Sequence, residues 1–94
     1  MLDIFKSSEM RQVCLENNIE FLGLFGSFAR NEQKDSSDVD LLVRFDKRVG
    51  YFKLLEVQDK FKTLLGYNVD LVTENALSTH IKPFVQKDIQ TIFG

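Results

Sequence analysis

Apolar residues along this chain follow two kinds of pattern. The segments Ile19 to Phe25, Asp38 to Phe45 and Asn68 to Thr73 are short runs of mainly apolar and β-branched residues, which favours strands buried in a sheet. Tyr51 to Leu65 instead repeats its apolar residues at helical spacing and is followed by Gly66, a residue that commonly ends a helix. The pattern therefore predicts strands that alternate with helices.

Two further helices are predicted near the ends of the chain. Ser7 or Ser8 can cap a helix that carries Met10, Val13 and Cys14 on one face and stops at Asn17-Asn18. The second helix follows a capped region and holds Pro83 in its first turns, and its apolar residues are Ile81, Phe84, Val85 and Ile89. Thr91 to Phe93 is either a short last strand or a fraying tail. This order predicts a small α/β fold, a mixed β-sheet with helices mainly on one face.

Length and charge limit the classes of function. The chain has 94 residues, so we expect residues 1–94 to form a single domain. Its net charge is −2, and no basic run is present, which argues against direct nucleic-acid binding. Cys14 is the only cysteine, so an intrachain disulfide is excluded. The absence of a signal peptide or long apolar run predicts a cytoplasmic protein that does not bind a membrane.

A Gly-Ser pair follows the first predicted strand. Gly26 has no Cβ and lets the backbone approach a ligand closely, and Ser27 can cap a short helix that continues to Arg30. The free N–H groups at such a helix start attract anions. Taken alone, the pair is a weak signal, because Gly-Ser also occurs in ordinary turns.

Three aspartates lie in the next two predicted strands. Asp38 and Asp40 are two residues apart, so in a strand they share one face with about 7 Å between them. Asp70 is embedded in a β-branched run, against strand propensity, and joins the same cluster if the two strands are neighbours. Clustered carboxylates are costly without a cation, and oxygen ligands favour Mg²⁺ or Mn²⁺.

These residues together carry a family resemblance. Gly26-Ser27, ten intervening residues and then Asp38-Val39-Asp40 resemble the signature of the DNA polymerase β-like nucleotidyltransferase superfamily. The string GSFARNEQKDSSDVDLLVRF, with VDLVTENAL downstream, is similar to the minimal nucleotidyltransferases (MNT), which serve as antitoxins beside HEPN-domain toxins. Asn31 replaces the usual glycine of the family, and Asn is the residue that best tolerates the left-handed conformation there.

The resemblance implies a site and a reaction. Asp38, Asp40 and Asp70 would be the catalytic, metal-binding carboxylates, and Gly26, Ser27 and Arg30 would bind the nucleotide. The implied reaction is Mg²⁺-dependent transfer of AMP from ATP to a hydroxyl, with a tyrosine of a cognate HEPN toxin as acceptor. The chain would then act as an antitoxin in a hetero-oligomer with that partner.

Two other functions stay open at the level of sequence. The chain could be a binding module that neutralises its partner by occlusion, with the carboxylates vestigial or used only to hold nucleotide. It could also be a small-molecule nucleotidyltransferase, although 94 residues leave no room for a separate acceptor-binding domain. Retention of all three aspartates favours an enzyme over a binding module.

Overall fold

The computed structural model describes residues 2–94, which form helices packed on a four-stranded sheet. In chain order the elements are α1 (Leu2–Phe5), α2 (Ser8–Glu16), β1 (Ile19–Phe25), β2 (Val39–Phe45), α3 (Tyr51–Leu65), β3 (Val69–Thr73), a 3₁₀ turn (Glu74–Ala76), α4 (Lys82–Asp88) and β4 (Gln90–Phe93).

The sheet is mixed, with strand order β3-β2-β1-β4. The strands β1 and β2 are antiparallel, β1 and β4 are antiparallel, and β2 runs parallel to β3. A parallel neighbour requires a crossover connection, which α3 supplies between β2 and β3. The N-terminal ends of β2 and β3 therefore lie at the same end of the sheet as the C-terminal end of β1.

One face of the sheet forms the main hydrophobic core. Leu24 of β1 pairs with Leu41 of β2, and Leu41 pairs with Leu71 of β3, so all three side chains point to the same face. Val57 and Phe61 of α3 are fully buried in the same cluster. Alternation along each strand sends Asp40 and Asp70 to the opposite face.

Helix α4 covers part of that opposite face. Val85 is its buried residue, and it lines a cavity together with Leu42 of β2 and Phe21 of β1. The helices α2 and α3 thus lie on the core face, and α4 lies beside the aspartates. Within the part of the chain described, no helix is both long enough and apolar enough to cross a membrane.

Most predicted elements are confirmed. The bounds of β1 and α3 match the sequence pattern, Ser7 caps α2, and Gly66 adopts the left-handed conformation after α3. The short helix predicted from Ser27 to Arg30 is wrong, because the segment is an irregular turn. In this segment the number of residues between the N–H donor and the carbonyl acceptor differs from one hydrogen bond to the next. A regular helix keeps that number constant. Strand β2 begins at Val39, one residue later than predicted, and α1 was not anticipated.

The core makes a direct prediction about stability. Phe61→Ala removes a fully buried ring from α3, so we expect the free energy of unfolding to fall by about 3–5 kcal/mol. Phe52→Ala, on the same helix but 86% exposed, is the matched control and should change it by less than about 0.5 kcal/mol. Urea denaturation of the two variants checks this. Equal losses would contradict the assignment of the core face.

Candidate active site

The turn after β1 lies directly beside Asp40. Gly26 has φ of 78°, in the left-handed region, and a Cβ at this position would collide with the carboxylate of Asp40. Phe25 is the register partner of Asp40 on the antiparallel strand, which brings the start of the turn to this carboxylate. Only glycine satisfies both the conformation and the close approach.

The turn from Gly26 to Asn31, called here the phosphate turn, has several free backbone donors. The N–H groups of Arg30, Asn31 and Glu32 donate to the carbonyls of Gly26, Phe28 and Ser27 at 3.1, 3.3 and 2.9 Å. Among the described residues, the preceding N–H groups of 27–29 donate to no backbone carbonyl. Successive free N–H groups after a left-handed residue form a concave site for anions. Asn31 has φ of 58°, as its replacement of glycine predicted.

Sheet register brings the predicted carboxylates together. Asp40 and Asp70 are direct partners on the parallel strands β2 and β3, which lie about 4.8 Å apart. Asp38 precedes β2 and is exposed, and Asp70 is exposed at the sheet edge, whereas Asp40 is partly buried. The condition set for Asp70 to join the cluster, that its strand is the neighbour of the strand that carries Asp40, is met.

Asp40 is the carboxylate most affected by this arrangement. Its pKa is raised from 3.8 to about 6, mainly by burial and then by the neighbouring charges of Asp70 and Asp38. The Arg30 guanidinium acts in the opposite direction and lowers this pKa. All four groups are therefore close enough to interact electrostatically at one site.

The chemistry of these donors fits a hard divalent cation. Three carboxylates with a raised Asp40 pKa favour a positive charge at this position, and all-oxygen ligands suit Mg²⁺ or Mn²⁺. As the side chains stand, no three His, Cys, Asp or Glu residues within 2–94 are arranged as a metal-binding group. The fit rests on donor type and strand register, and the roles of the three aspartates as ligands stay a prediction.

Arg30 is already engaged by other residues of the protein. Its Nη1 donates to Asp88 Oδ2 at 2.6 Å, and its Nε donates to Glu32 Oε2 at 3.1 Å. These hydrogen bonds, first that of Asp88, raise the pKa of Arg30. The predicted contact of Arg30 with nucleotide remains a prediction, and any such contact would be made by a guanidinium that is already hydrogen-bonded within the protein.

Sequence reasoning missed two residues next to the site. Asp88 contacts Arg30, and the Gln90 side-chain amide donates to the Ala29 carbonyl at 2.8 Å. Both residues are about 60 positions from the turn, so no local spacing pattern connects them. The one available signal was Asp88 itself, because an acidic residue at a helix C-terminus opposes the helix dipole.

The raised pKa of Asp40 predicts a pH-dependent stability. The folded protein keeps the Asp40 proton up to about pH 6, whereas the unfolded chain releases it near 3.8, so stability falls as the pH rises through this interval. Raising the pKa by about two lowers the free energy of unfolding by at most about 3 kcal/mol, and partial exposure of Asp40 reduces this loss to about 1–2 kcal/mol. Asp40→Asn removes this cost.

In the presence of a chelator, Asp40→Asn should therefore raise the thermal midpoint more at about pH 8 than at about pH 5. Asp46→Asn, an exposed residue at the far end of β2, is the control for the loss of one negative charge. A gain that is the same at both pH values, or the same in the control, would contradict the carboxylate cluster.

Comparison with known proteins agrees with this geometry. The family described as Polymerase beta, Nucleotidyltransferase matches residues 8–94. The protein adenylyltransferase MntA of Thermococcus cleftensis is 38% identical over 68 residues, which cover 72% of this chain and 69% of that protein. The relative MJ0128 of Methanocaldococcus jannaschii is 40% identical over 72 residues, which cover 77% of this chain and 70% of the relative.

Solved structures share the fold. A toxin-antitoxin crystal structure with AMP-PNP has a TM-score of 0.79 at 24% identity, covering 93% of this chain and 72% of that one. A complex of a tri-AMPylated Shewanella oneidensis HEPN toxin with its MNT antitoxin has a TM-score of 0.74 at 21% identity, covering 100% and 73%. With the glycine turn and paired aspartates in place, the match over residues 8–94 means that this chain belongs to the polymerase β-type nucleotidyltransferase family.

Proposed function

We propose that this chain is a Mg²⁺-dependent protein adenylyltransferase that acts as the antitoxin of a HEPN toxin. The observation that carries the proposal is the register of Asp40 against Asp70, next to a glycine turn with free N–H groups. This combination offers a place for a metal-bound triphosphate and a carboxylate for the acceptor on one face of the sheet.

Each residue has a distinct role in the proposed site. Asp38 and Asp40 would hold the divalent cation, and the backbone around Gly26 and Ser27 would receive the distal phosphates of the nucleotide. When bound, the cation neutralises negative charge on the phosphates and on the leaving group. Asp70 lies at the edge strand and is exposed, so an incoming hydroxyl can reach it.

The proposed transfer needs no covalent enzyme intermediate. The acceptor oxygen attacks the α-phosphorus of ATP, the bond from that phosphorus to the bridging oxygen breaks, and pyrophosphate leaves. The proton of the acceptor hydroxyl passes to Asp70, which lies on β3, whereas Asp40 lies on β2 and Asp38 directly precedes β2. Catalysis then comes mainly from positioning and charge compensation.

A protein acceptor is supported by two considerations. Relatives of this chain include a protein adenylyltransferase, and a structural neighbour is a complex with an AMPylated HEPN toxin. In addition, Phe84 of α4 and Ile81, the N-cap residue of that helix, are 71% and 54% exposed. Exposed apolar side chains of this size favour contact with a protein over a small polar substrate. We propose a tyrosine of the toxin as the acceptor.

The test is the intact mass of the cognate toxin after co-expression with this chain. The toxin should gain one AMP unit or a small multiple with the wild type, and none with Asp70→Asn. Asp46→Asn is the matched control, because it removes the same charge from an exposed position at the far end of β2 and should label normally. A toxin that is neutralised but unmodified would favour inhibition by occlusion and would contradict the enzymatic proposal.

Asp70→Asn also separates nucleotide binding from chemistry. The phosphate turn, Asp38 and Asp40 are unchanged in this variant, so the affinity for Mg²⁺-ATP should stay within about threefold of the wild type, while transfer falls by roughly two to four orders of magnitude. Calorimetry and single-turnover labelling measure the two effects. Near-normal labelling would contradict the three-carboxylate mechanism, and a loss of ATP binding would place Asp70 with the donor nucleotide instead.

A further inference from the structure

We infer that Asp88 and Gln90, at the junction of α4 and β4, are positioning residues that hold the phosphate turn in the shape that receives the triphosphate. The inference rests on the proposed function for its effect on ATP, but the contacts that carry it are independent of any ligand. The junction binds the turn at two successive residues, Ala29 and Arg30.

The first contact fixes the backbone of the turn. Gln90 begins β4 and is the register partner of Leu24, two residues before Gly26, so it sits where the chain leaves β1. Its side-chain Nε2 donates to the Ala29 carbonyl at 2.8 Å, and this bond is partly buried. The contact uses a carbonyl and none of the free N–H groups, so it can hold the backbone without taking a donor from the anion site.

The second contact fixes the charged side chain of the turn. Asp88 Oδ2 accepts from Arg30 Nη1 at 2.6 Å, and the side chain of Asp88 is only 18% exposed. Glu32, the other partner of Arg30, is 63% exposed. Exposed ion pairs contribute little because water and salt screen them, so Asp88 is the partner that determines where the Arg30 guanidinium lies.

The position of Asp88 in its helix supports a role outside that helix. Asp88 is the last residue of α4, where the negative end of the helix dipole disfavours a carboxylate, and Lys87 beside it is the type of residue favoured there. Asp88 is therefore unfavourable for α4 alone. Its pairing with Arg30, 58 residues earlier, offsets that cost.

The turn depends on external contacts because its own backbone hydrogen bonds do not form a regular helix. It is not helical, and on its other side Phe28 is anchored in the core by edge contacts with Phe5 and Tyr67, at ring-centroid distances of 6.1 and 5.1 Å. The junction and Phe28 thus restrain the turn from two directions. A turn ordered in advance loses less conformational entropy when the nucleotide binds.

The inference is tested with Asp88→Asn, Gln90→Met and the double variant, with Glu32→Gln as the matched control on the other partner of Arg30. With saturating toxin, the KM for ATP should rise about tenfold in the double variant while kcat changes less than about threefold. Glu32→Gln should leave KM and kcat unchanged. Asp88→Glu keeps the charge, so its KM for ATP should be closer to that of the wild type than the KM of Asp88→Asn.

Amide hydrogen exchange tests the same idea without nucleotide. The Arg30 and Glu32 amides, which close the turn, should exchange about tenfold faster in the double variant, while the Leu41 and Val43 amides of the central strand β2 stay unchanged. Unchanged exchange at the turn, or equal acceleration throughout the sheet, would overturn the inference. If the wild type neither binds ATP nor labels the toxin, the proposed function fails, and the exchange result alone decides whether the junction holds the turn.

Discussion

Electrostatic repulsion among carboxylates on one sheet face is the constraint on which the rest of this structure depends. Asp40 and Asp70 are register partners on parallel strands, and Asp38 precedes Asp40 by two residues. Parallel register fixes their spacing, so the protein cannot separate them without breaking the sheet. The pKa of Asp40 is raised to about 6, first by burial and then by this repulsion. Such a cost is typical of a functional site.

The surrounding elements make this cluster accessible to a phosphate ligand. The core helices α2 and α3 pack on the opposite face, so they stabilise the sheet without covering the aspartates. Gly26 allows the turn after β1 to reach the Asp40 carboxylate, and α4 covers the sheet next to it. Negative carboxylates and free N–H groups are therefore adjacent, an arrangement that supports the proposed binding of a triphosphate that carries a divalent cation.

The sequence predicts the regular elements well because their signals are local. Apolar runs define β1 and β2, and helical spacing before Gly66 defines α3 to the residue. Asp38, Asp40 and Asp70 are also visible locally, as charges within or directly before apolar strands, and their role as ligands stays a prediction. The shape of the phosphate turn could not be predicted, because burial of Phe28 and the contacts of Asp88 and Gln90 determine it. Those contacts depend on tertiary structure and leave no pattern around Ser27.

The central claim is that the aspartates and the phosphate turn bind a triphosphate through a divalent cation, and calorimetric titration with ATP tests it most directly. The wild type should bind ATP with Mg²⁺ present and lose nearly all affinity in a chelator, since uncompensated carboxylates repel the phosphates. The double variant Asp38→Asn with Asp40→Asn should lose the Mg²⁺-dependent part of the affinity. Equal affinity for ATP with and without Mg²⁺ in the wild type would contradict the account.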